Sequence, residues 1–159
     1  MPTPRRKLRL TPALLGYVCL ALLGLYALAG RMAPYHGLTE AGCRVGFVYD
    51  GDTVELLCGA GTERARLVGF DTPETTEPGC AAEGDLGLQA KLRLGDLVAR
   101  AQGQPEGILL DATGIDRYGR RLVTMRIFGR DVADIMIEEG LAVAYGGAAR
   151  TDWCARLGG

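Results

Sequence analysis

Asp50-Gly51, set between residues 43–49 and 52–58, limits what this chain can fold into more than any other stretch. Asp-Gly between two apolar runs marks a tight hairpin, because both central residues of a type I′ turn take positive φ. With those two residues as the turn, Tyr49 faces Asp52 and Cys43 faces Cys58, within disulfide reach. The chain must therefore begin its folded part as antiparallel sheet.

The remaining elements follow in order. A third strand is predicted over 62–70, with Arg64 and Arg66 two apart and so on one face. It ends at Asp71-Thr72-Pro73, since proline cannot donate to a sheet ladder. The loop 71–82 carries Asp71, Glu74, Glu77 and Cys80. Leu86, Ala90, Leu94, Leu97 and Val98 recur at helical spacing and predict a helix over about 83–102, ended by Gly103 and Pro105. Strands over 107–115 and 120–128 join at Arg117-Tyr118-Gly119. A short helix starts at Asp131 as N-cap, buries Val132, Ile135 and Met136, and stops at Gly140. Residues 141–145 read as a tail leading to Trp153-Cys154. Five short strands and two helices give an α+β, mainly β, domain: a small closed barrel of the OB type.

The N-terminus is different in kind. Residues 10–30 form an uncharged, mostly apolar run of 21 residues, enough to span a bilayer as a helix. Arg5, Arg6, Lys7 and Arg9 precede it and only Arg31 follows, which places residues 1–9 in the cytoplasm and the domain outside. The run reads as a transmembrane signal-anchor, or as a signal peptide cleaved after Ala29. Residues 31–41 are a linker, and 42–159 the folded domain. The expected location is the inner membrane with the domain in the periplasm or outside the cell, or secretion after cleavage.

Charge is distributed to match. Five of the 18 basic residues and none of the 19 acidic ones lie in the first 31 positions, leaving 13 basic against 19 acidic, a net of −6, in residues 32–159. An acidic domain is a poor general binder of nucleic acid, so any such activity must rest on local arginines and a bound cation. The cysteines also fit export. Cys19 lies inside the apolar run. Cys43, Cys58, Cys80 and Cys154 allow three pairings, and no C-x-x-C spacing supports zinc. Oxidising surroundings favour disulfides. The hairpin register selects Cys43–Cys58 and leaves Cys80–Cys154.

Three ordered stretches carry chemistry: Asp50-Gly51-Asp52-Thr53, then Arg66-Leu67-Val68-Gly69-Phe70-Asp71-Thr72-Pro73-Glu74-Thr75, then Asp116-Arg117-Tyr118-Gly119-Arg120. Taken singly, each carboxylate or arginine has a structural explanation as a turn, cap or strand-edge residue. Jointly, with Gly140-Leu141-Ala142, they resemble the staphylococcal nuclease (thermonuclease) family over about residues 44–145. The resemblance implies an OB barrel with helices and a calcium-dependent phosphodiesterase acting on DNA and RNA, leaving 3′-phosphate and 5′-hydroxyl ends. It implies Ca²⁺ held by Asp52, Asp71 and the Thr72 carbonyl, a hard oxygen set suited to that ion. Glu74 matches the carboxylate that orients or deprotonates the attacking water. Arg66 and Arg120 match the arginines that clamp the phosphate. Arg117 stands where the family carries a lysine, and Tyr118 and Tyr145 match tyrosines beside the nucleotide. The expected partners are a nucleic-acid substrate and the membrane, with the domain a monomer. The family's last helix is expected to be missing, since little chain follows Trp153-Cys154.

Two other function classes compete. A noncatalytic OB module binding nucleic acid or protein typically lacks some of the acidic or arginine positions, all of which are present here. A membrane-anchored structural domain would explain the apolar run but none of Asp52, Arg66, Asp71, Glu74 and Arg120.

Overall fold

A computed structural model describes residues 17–25, 42–101 and 103–158. The chain divides into two units, Met1–Ala33 and Pro34–Gly159. In the first, residues 17–25 are helical and exposed (α1). No described helix is long and apolar enough to cross a membrane. The rest of the expected span over 10–30 lies outside the described residues, as do the basic tail 1–9 and the whole of the linker 31–41.

The second unit is a mixed α+β domain built mainly of sheet. Its elements are β1 (Arg44–Val48), β2 (Thr53–Cys58), β3 (Gly61–Leu67), β4 (Gly69–Asp71), α2 (Ala81–Ala101), β5 (Ile108–Ile115), β6 (Arg121–Ile127), β7 (Arg130–Asp131), α3 (Val132–Glu138), β8 (Val143–Tyr145) and α4 (Trp153–Leu157). The main sheet runs β1-β2-β3-β6-β5, with β7 also on β6. All its pairings are antiparallel except β3 with β6. This is an OB-like order, but the expected closed barrel is not formed. Among the described residues β1 and β5 do not pair, and α2 lies against β1 and β6 instead. A helix burying Ala90, Leu94, Leu97 and Val98 covers by side-chain packing what a closed barrel would cover by a strand ladder.

The hairpin β1–β2 forms, but not through the expected turn. Neither Asp50 nor Gly51 has positive φ. Tyr49 and Asp50 both donate their N–H to the Thr53 carbonyl, at 2.9 and 3.4 Å, so the reversal is longer than two residues and Tyr49 does not face Asp52. Val48 consequently pairs with Val54, and a bulge between Val45 and Val48 restores the pairing of Val45 with Leu56 and Arg44 with Leu57. Cys43 therefore still reaches Cys58, and the two are disulfide-bonded. Glycine is required at 51 for space: a Cβ there would lie 2.7 Å from the Ala90 Cβ and 2.8 Å from the Thr72 Cγ2. The turn is pressed between α2 and the loop after β4.

The expected third strand over 62–70 breaks in two. Gly69 sits at φ +94, a left-handed conformation that redirects the chain. β3 ends at Leu67, and β4 leaves the main sheet to pair with β8, Asp71 opposite Val143. What read as a tail over 141–145 is thus a strand. The helices match their signals closely: Asp131 caps α3 by accepting the Ala133 N–H at 2.9 Å. The expectation of two helices and a missing last one is corrected by α4, whose N-cap Asp152 accepts from Ala155 N. It is held by the disulfide Cys80–Cys154. One core unites the elements, with Val45, Leu56, Leu67, Phe70, Leu94, Val123, Met125 and Met136 almost entirely buried.

Candidate active site

The break at Gly69 is what assembles the site. It carries Asp71 off the main sheet to a place where it meets Arg66, five residues back, and Asp52 comes up from the β1–β2 turn. Asp52 and Asp71 are 2% and 0% exposed. One guanidinium bridges them: Arg66 Nη1 lies 2.8 Å from Asp52 Oδ1, and Nη2 lies 3.1 Å from Asp71 Oδ1. Asp52 Oδ2 accepts from Thr72 N at 3.2 Å and Thr72 Oγ1 at 3.1 Å, and Oδ1 accepts from Thr53 Oγ1 at 3.1 Å. Burial pushes the Asp52 carboxyl up to about 7 despite the opposing charge of Arg66, and the neighbouring Asp50 carboxylate adds to the rise. A carboxylate so desolvated gains most from a further positive charge.

Around this centre opens a cleft of ≈ 1130 Å³. Asp52, Arg66, Thr72 and Glu74 line one side, and Arg117, Tyr118, Arg120 and Tyr145 complete the wall. Every predicted site residue except the fully buried Asp71 and the disulfide cysteines therefore faces one space. Arg120 is held by its own turn, with Nε 2.7 Å from Asp116 Oδ2. Its guanidinium carbon lies 5.6 Å from the centre of the Tyr118 ring, and that of Arg117 at 4.8 Å. Tyr118 is largely exposed, and Tyr145 donates its hydroxyl to the Ala148 carbonyl at 2.6 Å. Arg64, on the same face of β3 as Arg66, stacks on Tyr49 at 4.2 Å and does not line the cleft.

Three residues that sequence reasoning missed belong to the site. Arg150 lines the cleft, donating Nε to Asp71 Oδ1 at 3.1 Å and pairing through Nη1 with Glu74. Trp153 donates Nε1–H to Asp71 Oδ2 at 3.3 Å. Glu83, in the first turn of α2, is buried and accepts from Gly79 N at 2.7 Å and Glu74 N at 3.3 Å, fixing the loop that presents Glu74. Nothing local marks Arg150 or Trp153, which reach Asp71 across 79 and 82 positions of chain. Glu83 carried a weak signal as an acid at a helix start.

The donor set fits a hard divalent cation. Two buried carboxylates converge on one positive group, and among the described residues the cleft wall offers neither histidine nor thiol. Four arginines (Arg66, Arg117, Arg120 and Arg150) line the same cleft beside the carboxylates of Asp50, Asp52, Glu74 and Asp116, so its lining is balanced in charge within an acidic domain.

Known proteins are similar to this chain in sequence. Residues 64–153 match the family model described as staphylococcal nuclease homologue. The endonuclease YncB of Bacillus subtilis is 34% identical over 97 residues, 60% of this chain and 44% of that protein. The micrococcal nuclease of Shigella flexneri is 32% identical over 107 residues, 62% of this chain and 55% of that protein. The SPbeta prophage-derived endonuclease YokF of Bacillus subtilis is 34% identical over 97 residues, covering 32% of its length. The chain thus spans about half or less of the length of these relatives. With more than half of its residues matched by the family model, the chain belongs to the staphylococcal nuclease homologue family.

Proposed function

We propose that the domain is a nuclease that hydrolyses phosphodiester bonds of DNA, RNA or both with a calcium ion bound in the cleft. The observation that carries this is one open cleft lined by the buried Asp52 and four arginines, with the buried Asp71 held on the same Arg66 guanidinium behind it. The relatives' names, two endonucleases and a micrococcal nuclease, support the reaction class. Asp52 and Asp71, with the Thr72 carbonyl, would hold the ion, which supplies charge neutralisation for the phosphate and a polarised water. Arg66 and Arg120 bind the phosphate oxygens, stabilising the extra charge of the pentacoordinate transition state. Glu74 orients the attacking water and accepts its proton. Water adds to phosphorus, the bond to the 5′ oxygen breaks, and 3′-phosphate and 5′-hydroxyl ends result. Tyr118 and Tyr145 contact the nucleotide, and Arg117 adds a phosphate contact at the rim.

The two disulfides and the apolar run over 10–30 support an exported domain, anchored in the inner membrane or released after Ala29. The domain acts as a monomer. The decisive experiment incubates it with single-stranded DNA in Ca²⁺ and in chelator. Cleavage in Ca²⁺ alone is expected. Equal cleavage in chelator refutes the metal role, and binding without cleavage in Ca²⁺ marks a noncatalytic OB module.

A further inference from the structure

Arg150 lies outside all the stretches that identify the site, yet it makes two of the site's ion pairs. Residues 146–152 carry it between β8 and α4, and both ends of that segment are fixed. β8 is paired with β4, while α4 is tied by Trp153 to Asp71 and by Cys154 to Cys80. The guanidinium places Nε and Nη2 each 3.1 Å from Asp71 Oδ1, and Nη1 pairs with Glu74. Desolvation works against its charge, but the Glu74 hydrogen bond and the Asp71 charge prevail and raise its pKa. Its side chain is nonetheless 47% exposed, against 12% for Arg66.

Burial separates the two arginines. Arg66 and Arg150 both contact Asp71 Oδ1, and Arg150 also holds Glu74. A divalent cation taking the Asp71 carboxylate competes with both guanidinium groups for it. Arg66 is the buried bridge between both aspartates, whereas Arg150 can return to water at small cost. Resting on the cation-dependent reading above, we propose that Arg150 is a tethered counter-cation. It occupies Asp71 and Glu74 when no divalent ion is bound and swings out when one loads.

Calcium titration of the full chain by calorimetry tests this without any nuclease readout, using Arg150→Gln, Arg150→Lys and Asp71→Asn beside the parent. Arg150→Gln should bind Ca²⁺ roughly five- to tenfold more tightly, since one competing charged contact is removed. Arg150→Lys, which keeps the charge, should stay close to the parent. Unchanged or weaker binding by Arg150→Gln overturns the inference. If in that case the parent binds Ca²⁺ and Asp71→Asn does not, the metal site stands and only the role of Arg150 falls. Absence of binding in the parent and both Arg150 variants overturns both.

Discussion

The loop 50–52 and the loop 116–120 sit on the same cleft, and each is organised by an aspartate that accepts hydrogen bonds from its own loop. Asp50 Oδ1 accepts from Asp52 N at 3.0 Å, and Asp116 Oδ1 accepts from Tyr118 N at 2.8 Å and Arg120 N at 2.9 Å. Beyond that they diverge. The first loop is clamped between α2 and Thr72, and its Asp52 is buried against Arg66, with Asp71 on the same guanidinium. The second stands in water, its Tyr118 largely exposed and its Arg120 paired inside the same turn. One wall of the cleft is therefore a desolvated, long-range construction whose charges depend on one another. The other is local and solvated, and can lose a charge without consequence for the fold.

Arg66→Ala and Arg120→Ala separate the two walls most sharply. Each should lower the cleavage rate by about 10²–10³-fold, the usual cost of one preorganised contact to a developing charge. Only Arg66→Ala should also destabilise the domain, by about 3–5 kcal/mol, since it leaves buried carboxylates without their bridge. Arg120→Ala should stay within about 1 kcal/mol of the parent. Urea unfolding alongside single-turnover cleavage reads both quantities. Comparable destabilisation by the two variants would erase the distinction.

The buried wall should further depend on a distant tether. Replacing Cys80 and Cys154 by serine removes a bridge across 74 positions, worth about 4 kcal/mol on chain-entropy grounds. It should also loosen Asp71, because Trp153 adjoins the lost cysteine. Replacing Cys43 and Cys58, 15 positions apart, should cost about 3 kcal/mol and leave cleavage of the remaining folded protein intact. Thermal unfolding and activity below the transition distinguish the two. A larger activity loss from the second pair would contradict the assignment.

Asp52 gives a pH signature that the open wall lacks. Its folded-state pKa is raised from 3.8 to about 7, so the folded, metal-free domain binds this proton more tightly than the unfolded chain. Stability from this group is complete below pH 3.8 and is lost as pH rises towards 7, by at most about 1.4 kcal/mol per unit. Asp52→Asn removes that dependence, so in chelator its stability relative to the parent should increase between pH 4 and 7. A constant difference across that window would mean that Asp52 is not held against ionisation.

Arg117→Ala should have the smallest effect. It should raise KM a few-fold and reduce the salt dependence of substrate binding by about one unit of slope, as for one lost phosphate contact. Arg64→Ala, whose guanidinium rests on the Tyr49 ring, should leave cleavage unchanged. A loss as large as that of Arg66→Ala would place Arg64 in the site.

The solvated wall was the more legible in sequence because its partners are neighbours: Asp116 and Arg120 lie four apart, and Gly119 supplies the positive φ of the turn. Helices α2 and α3 were legible for the same reason, through apolar spacing and the Asp131 cap. The buried wall was legible only in its residue types. Gly69 inside a strand-like run was the sign of a break, but nothing nearby told that β4 would pair with β8. Asp50-Gly51 marks the reversal, but its glycine serves close approach to Ala90 and Thr72, not a positive φ. Cys43 still met Cys58 because a bulge absorbed the change of register. Arg150 and Trp153 act on Asp71 through the fold alone.

The most direct test of a buried wall that holds the cation, and of an open wall that contacts the phosphate without holding the cation, is a Ca²⁺ titration by calorimetry of the parent, Asp52→Asn and Arg120→Ala. Asp52→Asn should lose Ca²⁺ binding, and Arg120→Ala should bind the ion as the parent does. Parent-like Ca²⁺ affinity in Asp52→Asn, or its loss in Arg120→Ala, would contradict that division.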